Sequence, residues 1–249
     1  MTLNLVQESF RQYLYNIKAS LAFGLTLIFV LIFTMFDNMG ASTGSIFLEY
    51  GLSNIDLASL AIEIIAILAF LLFYALFLTV IIFSIRNSLS FLKVNYYLRE
   101  MIQKFTSRLF LFYVFYFGVI SIIAQILLFL NIPILVADAI LLISSVAFLF
   151  VPQSVVIDEE GLRNAFLNNF EFIAKNPKHL LLVLVLGMFL LALVSVVEYL
   201  FDAILLMGRY FSLFIVIVFV MPLIESLKSC MYMFKFEIIR DHQMNKPKL

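Results

Sequence analysis

The chain has no tryptophan, one cysteine (Cys230) and two histidines (His179 and His242). A single thiol excludes an internal disulfide, and with so few histidines no Cys/His metal cluster is expected. Charge is scarce too. Only 13% of the 249 residues are Asp, Glu, Lys or Arg, against about 25% in an ordinary soluble domain. Lys plus Arg and Asp plus Glu stand at 16 each, so no basic excess points to a nucleic-acid partner. What the chain has in plenty is apolar surface. Hydrophobic residues make up 64% and the mean hydropathy is +1.11, where soluble domains are about 45–50% apolar. That excludes a soluble globular domain and a disordered chain alike. The alternating pattern of a membrane barrel is absent. The expected fold class is an all-α integral membrane protein, a single polytopic domain over residues 1–249.

A helix needs about 20 mostly apolar residues to cross a bilayer. Six stretches qualify: Ala19–Phe36, Leu57–Ile85, Leu109–Leu130, Ile132–Val151, His179–Phe201 and Tyr210–Met233. The third and fourth are separated only by Asn131 and Pro133, which predicts a tight helical hairpin, and Pro222 is expected to break the sixth. The first follows a patterned segment and no A-x-A-like cleavage site comes after it, so it reads as a retained span rather than a signal peptide.

The basic residues set the orientation. Arg11 and Lys18 precede span one. Arg86, Lys93, Arg99, Lys104 and Arg108 lie between spans two and three. Arg163, Lys175 and Lys178 lie between spans four and five, and Lys228, Lys235, Arg240, Lys246 and Lys248 cluster from the end of span six onward. Only Arg209 is on the other side, so 15 of the 16 Lys and Arg share one face of the membrane. Both termini are expected in the cytoplasm and the protein in the cell membrane. Without tryptophan, the aromatic belts rest on Tyr50, Tyr199 and Tyr210 outside and on Tyr13, Tyr15, Tyr96, Tyr97 and Tyr232 inside.

The cytoplasmic segments are patterned. Leu3, Val6, Phe10, Tyr13, Leu14 and Ile17 recur with identical spacing as Phe91, Val94, Leu98, Met101, Ile102 and Phe105, 88 residues on. Each set falls within about 100° of helical arc, an amphipathic stripe. A third segment presents Leu162, Ala165, Phe166, Phe170 and Ile173, with Asn169 interrupting the stripe and Asn176-Pro177 ending it. Each amphipathic helix precedes an outward span, an external turn and an inward span. The pattern predicts a parallel threefold repeat, at roughly 1–85, 86–157 and 158–249, and a pseudo-threefold bundle. The amphipathic helices either lie among the headgroups or pack beneath the bundle. Narrow stripes and broad polar faces favour the first, with Arg86, Lys93, Arg99, Lys104 and Arg108 as candidate contacts to anionic lipid headgroups.

Polar groups inside the spans are costly and therefore informative. Asp37, Glu63, Asp138, Glu198 and Asp202 gather toward the outer half, where Arg209 is the lone base. They form either an acidic vestibule for a cation or a set of helix-end and hydrogen-bonded acids, and the second reading is the simpler. Glu225 and Lys228, three apart after Pro222, are a candidate ion pair, with the lysine expected to snorkel toward water. Gln125 is expected to bond between helices, and Cys230 to be packing.

Nothing here reads as an enzyme. Gly40-Ala41-Ser42-Thr43-Gly44 matches G-x-S-x-G, but it falls in an external loop while both histidines are expected inside. Asp158-Glu159-Glu160 starts the third amphipathic helix, where acids complement the helix dipole. H-E-x-x-H, the P-loop and the glycine-rich dinucleotide turn are absent, so no catalytic residue, cofactor or metal is expected.

The stretch Val151-Pro152-Gln153-Ser154-Val155-Val156-Ile157-Asp158-Glu159-Glu160-Gly161-Leu162-Arg163-Asn164-Ala165-Phe166-Leu167-Asn168-Asn169 is the most distinctive. It resembles a segment of a broad group of prokaryotic six-span membrane proteins. The group includes the membrane domain fused to some glycerophosphodiester phosphodiesterases, and YciC-like inner-membrane proteins. Pro152, Glu160, Gly161 and Ala165 fit its pattern, while Asn168 or Asn169 stands where the group has a serine. The resemblance implies six spans in a cytoplasmic membrane and supplies no mechanism, the phosphodiesterase domain being absent. The expected function is therefore non-enzymatic: a membrane scaffold or auxiliary subunit that organises lipids or a membrane protein partner. The alternative is a small-solute or lipid transporter using the outer acids, which requires Glu63 and Asp138 to face one cavity.

Overall fold

The computed structural model describes residues 2–36, 39–42, 45–48, 57–90, 98–205 and 207–234. Five helical stretches there are long and apolar enough to cross a membrane: Leu60–Leu89, Arg99–Phe129, Ile134–Ile157, Pro177–Ile204 and Gly208–Phe234. A sixth is counted if Leu5–Tyr15 and Ile17–Phe33, which meet at 76°, are taken as one bent span. Helix is the form such segments must take, because it satisfies every backbone group within the segment where no water is available.

In chain order the helices are α1 (Thr2–Tyr15), α2 (Ile17–Phe23), α3 (Leu27–Phe33), α4 (Leu57–Leu89), α5 (Leu98–Met101), α6 (Ser107–Phe129), α7 (Ile134–Val146), α8 (Val151–Ile157), α9 (Leu162–Lys175), α10 (Pro177–Leu205), α11 (Gly208–Ile215) and α12 (Met221–Phe234). A 3-10 turn, Gly24–Thr26, joins α2 to α3. Strands β1 (Met39–Ser42) and β2 (Ser45–Leu48) form an antiparallel hairpin with Met39 opposite Leu48 and Ser42 opposite Ser45. This is a departure from a purely helical chain. A connection outside the hydrocarbon is free to use a strand pair, since the lipid constraint does not reach it.

Local chemistry explains the breaks. Asn16 leaves helical geometry, its side chain donating to the Gln12 carbonyl at 3.0 Å, and the chain turns there from α1 into α2. Asn131 adopts φ 51°, the Asn131 N–H reaches the Leu128 carbonyl and the Ile132 N–H reaches that of Leu127. That is a Schellman closure, with asparagine in the left-handed position that glycine usually fills. Pro133 then starts α7, which completes the expected hairpin.

Pro222 does not break its helix. The preceding residues, Val216–Val220, form a π-helical turn that joins α11 to α12. The wider turn accommodates the missing donor and the ring, so the chain stays helical through the proline. A second π turn, Ile102–Thr106, joins α5 to α6. The end of the second amphipathic segment therefore runs straight into a span, and Arg99, Lys104 and Arg108 lie on one continuous helix. The earlier part of that segment, Lys93 included, lies outside the described residues.

Packing is concentrated at one end of the bundle, here termed the base. All seven residues of α8 are buried, as are ten of the fourteen in α12, whereas α7 buries none. Helices α4, α8 and α12 touch one another there. Around them α1 packs on α12, the π turn after α5 packs on α4, and α9 packs on α8.

The far end is held by the turn between α10 and α11. Asp202 Oδ1 accepts a hydrogen bond from the Gly208 N–H at 2.6 Å. A Cβ on Gly208 would lie 2.2 Å from the Glu198 carbonyl oxygen and 2.7 Å from Asp202 Cγ. Gly208→Ala is therefore expected to force the two helices apart and to cost about 1–3 kcal/mol. A fall in the thermal midpoint of the detergent-solubilised protein would register this, and an unchanged midpoint would contradict the close approach.

Candidate functional site

The polar groups at the base meet on the turn between α8 and α9. Asp158-Glu159-Glu160 is its sequence, and Glu159 sits at φ 58°, a conformation uncommon away from glycine. Three bases from two other helical segments reach it. Arg86, near the end of α4, donates through Nη2 to Glu159 Oε1 at 2.8 Å and through Nη1 to the Val156 carbonyl at 2.9 Å. Lys104 pairs with Glu159 Oε2. Arg108, on α6, donates to the carbonyls of Glu160 at 3.1 Å and Glu159 at 3.4 Å. The Val156 carbonyl at the end of α8 has no intrahelical donor, so Arg86 satisfies it and complements the helix dipole, while Arg108 holds the carbonyls of the turn beyond. The Arg86 side chain is 16% exposed and that of Glu159 is 24%. Such partial burial makes this pairing stronger than a surface ion pair.

Neighbouring residues extend the clasp. Asp158 Oδ2 accepts from the Tyr232 hydroxyl on α12 at 2.5 Å, and from Ser154 and Asn168 at 3.4 and 3.5 Å. Asn169 does not interrupt the α9 stripe; it is fully buried at its centre. Its Oδ1 accepts from the Phe150 N–H at 2.9 Å and its Nδ2 donates to the Ala147 carbonyl at 2.6 Å. The chain breaks between α7 and α8 at that point, and an amide serves there because it offers both a donor and an acceptor. Phe170, expected on the stripe, is instead 48% exposed.

Deeper in the bundle, Lys228 Nζ donates to Glu225 Oε1 at 2.6 Å and Gln153 Nε2 donates to Glu225 Oε2 at 2.8 Å. Both charged side chains are 6% exposed. Lys228 thus does not snorkel to water, because its carboxylate partner lies one turn away on the same helix. The Tyr74 and Tyr113 rings meet edge to face, their centroids 5.0 Å apart. On the α1 side, Gln12 Nε2 donates to Glu8 Oε1 at 2.9 Å and Ser88 donates to Gln12 Oε1 at 2.5 Å. Helix α1 therefore buries Glu8, Ser9 and Gln12 against the bundle and leaves Phe10 and Leu14 half-exposed.

Of the five bases expected at lipid headgroups, Arg86, Lys104 and Arg108 are engaged by the protein itself, Arg99 is exposed and Lys93 is outside the described residues. Glu63 is buried on α4, while Asp138 is exposed on α7, a helix that buries no residue. Glu198 accepts from Ser42 at 3.5 Å and Asp202 caps the α10–α11 turn. Arg209 lies over the Tyr210 ring at 5.2 Å. Asp37 is outside the described residues. Gln125 is exposed rather than buried between helices. Ser42 ends β1, while His179 stacks on Phe172 at the base. Among the described residues, no three His, Cys, Asp or Glu side chains could hold a metal ion. No family model, no curated protein and no solved structure matches the chain.

The geometry holds helices together: Glu8, Asp158, Glu159, Glu160 and Glu225 are each bonded to a base, an amide or a hydroxyl. Glu159→Gln should leave Arg86 and Lys104 with a weaker acceptor and lower stability by about 1–3 kcal/mol. Lys175→Gln, at the exposed Glu171–Lys175 pair, should cost no more than about 0.5 kcal/mol. Equal effects in thermal melts would deny the clasp its role. Lys228→Met alone should be more damaging, by about 3–5 kcal/mol, because it strands a buried carboxylate. Adding Glu225→Gln should recover most of that loss, and a double variant as unstable as the sum of the two singles would refute the pairing argument.

Proposed function

We propose that this chain is a six-span protein of the cytoplasmic membrane with both termini in the cytoplasm. It acts without catalysis, as a scaffold or auxiliary subunit whose basal helices organise lipids or a partner membrane protein. The observation that carries this reading is the attitude of α1. The helix meets the Ile17–Phe33 segment at 76°, grips the bundle through Gln12, which accepts from Ser88 of α4, and leaves Phe10, Leu14 and Tyr15 exposed. A helix across the end of a span with its apolar side uncovered suits the layer where headgroups meet acyl chains. The 15-to-1 distribution of Lys and Arg supports the orientation.

The same reading includes the threefold repeat. Each amphipathic segment packs on the inward helix of the preceding unit: α1 on α12, the turn after α5 on α4, and α9 on α8. In this reading the three units close into a ring, and the mutual contacts of α4, α8 and α12 support it. Kinship with the six-span group of phosphodiesterase membrane domains and YciC-like proteins is proposed on the 151–169 segment.

The test is purification from native membranes in mild detergent, with mass spectrometry of co-purifying proteins and lipids. A stoichiometric partner protein or a retained phospholipid, lost when Phe10 and Leu14 are both replaced by Ser, is expected. A protein that retains neither and instead carries a small polar solute would overturn the scaffold reading in favour of transport.

A further inference from the structure

Helix α1 buries Leu5, Glu8, Ser9, Gln12 and Tyr13 against the bundle, yet its polar side chains bond mostly within their own helix. Ser9 donates to the Leu5 carbonyl at 2.7 Å, Arg11 and Gln12 both donate to Glu8, and Asn16 donates to the Gln12 carbonyl. Gln12 Oε1 takes the Ser88 hydroxyl of α4, but the single proton of that hydroxyl can instead serve the Ile85 carbonyl, 2.8 Å away on its own helix. The bond from α4 to α1 is therefore replaceable. Tyr13 lends its ring to an apolar groove of about 430 Å³ beside α1, while its hydroxyl is buried with no hydrogen-bond partner among the described residues. An unmet buried hydroxyl counts against the docked position and is relieved when the helix lifts. The joint is a single residue. Asn16 has ψ 24°, where a helix has about −42°. Helical bonds nonetheless run through it, the Asn16 N–H reaching the Gln12 carbonyl and the Ser20 N–H reaching that of Asn16.

We propose that α1 is a hinged strap: it pivots at Asn16, lifts off α12 and uncovers the face of α12 that carries Cys230. Turning ψ of Asn16 toward the helical value opens the 76° bend and leaves the helical bonds on either side intact. The α12 helix packs beneath α1, and Cys230 on it is fully buried beside Ser9 and Glu8. Lifting gives up the apolar burial of Leu5 and Tyr13. It frees the Tyr13 hydroxyl to find an acceptor, and Ser88 keeps a partner throughout. An element held by so few net contacts opens locally, without unfolding of the rest. The strap thus controls access to α12 at the base, where the helices meet. This goes beyond the scaffold reading and requires neither a partner protein nor a bound lipid.

The experiment uses the full chain in mild detergent and reads the rate at which N-ethylmaleimide reacts with Cys230, the single thiol of the chain. Reaction requires the thiol to be uncovered. Asn16→Ala favours an unbroken helix and removes the Asn16 side-chain bond, so it should speed labelling about tenfold. Tyr13→Phe removes the unmet hydroxyl and keeps the ring, so it should slow labelling about fivefold. Glu159→Gln weakens the base away from α1 and should leave the rate within about twofold of the unaltered protein, because the opening is local. If Glu159→Gln speeds labelling as much as Asn16→Ala, the thiol is reached by general loosening and the strap is overturned. A Tyr13→Phe rate equal to or above that of the unaltered protein overturns it as well.

Discussion

A carboxylate gripped by two cations, Glu159 between Arg86 and Lys104, decides how the helices of this protein meet at the base. Apolar packing by itself discriminates poorly among helix arrangements in a membrane, because lipid tails are as good a surface as leucine. Polar contacts discriminate well, since each unmet group in such a setting is expensive. The turn at 158–160 gathers these contacts in one place. Arg86 ties it to α4, Arg108 to α6 and Tyr232 to α12, so the ends of three helices are fixed by one short connection. The left-handed backbone of Glu159 is a cost borne by that connection and offset by the bonds it receives.

The rest of the architecture follows from this concentration of polar bonds. Buried side chains crowd around α8 and α12, while α7 stands with every residue at least partly uncovered. Lateral surfaces are left uncovered, and the groove beside α1 is one of these.

Much of the fold was legible from the chain alone. The spans appear where about 20 apolar residues run together, and Asn131 with Pro133 marked the α6–α7 hairpin. Other elements were misread for identifiable reasons. Pro222 looked like a break because a regular helix cannot place its ring, whereas a π turn can. Asn169 looked like a flaw in a stripe because periodicity does not reveal that two backbone groups nearby need an amide. The Asp158-Glu159-Glu160 run looked like helix-dipole chemistry, and the bases between spans two and three like headgroup ligands. Their charges are complementary, but pairs 51 to 73 residues apart carry no distance information in the sequence.

The sequence by itself determined the apolar, helical class of the chain and where its long apolar helices run, because those depend on local composition. Hydropathy, helix period and the placement of Lys and Arg are properties of short windows. The tertiary structure decided which charges meet. It turned Arg86, Lys104 and Arg108 inward, buried Lys228 beside its carboxylate, left Asp138 outside and set Tyr13 in an apolar groove. Each of these depends on which helices pack side by side. Helix neighbours are chosen by a few long-range polar bonds whose partners the chain brings together only on folding.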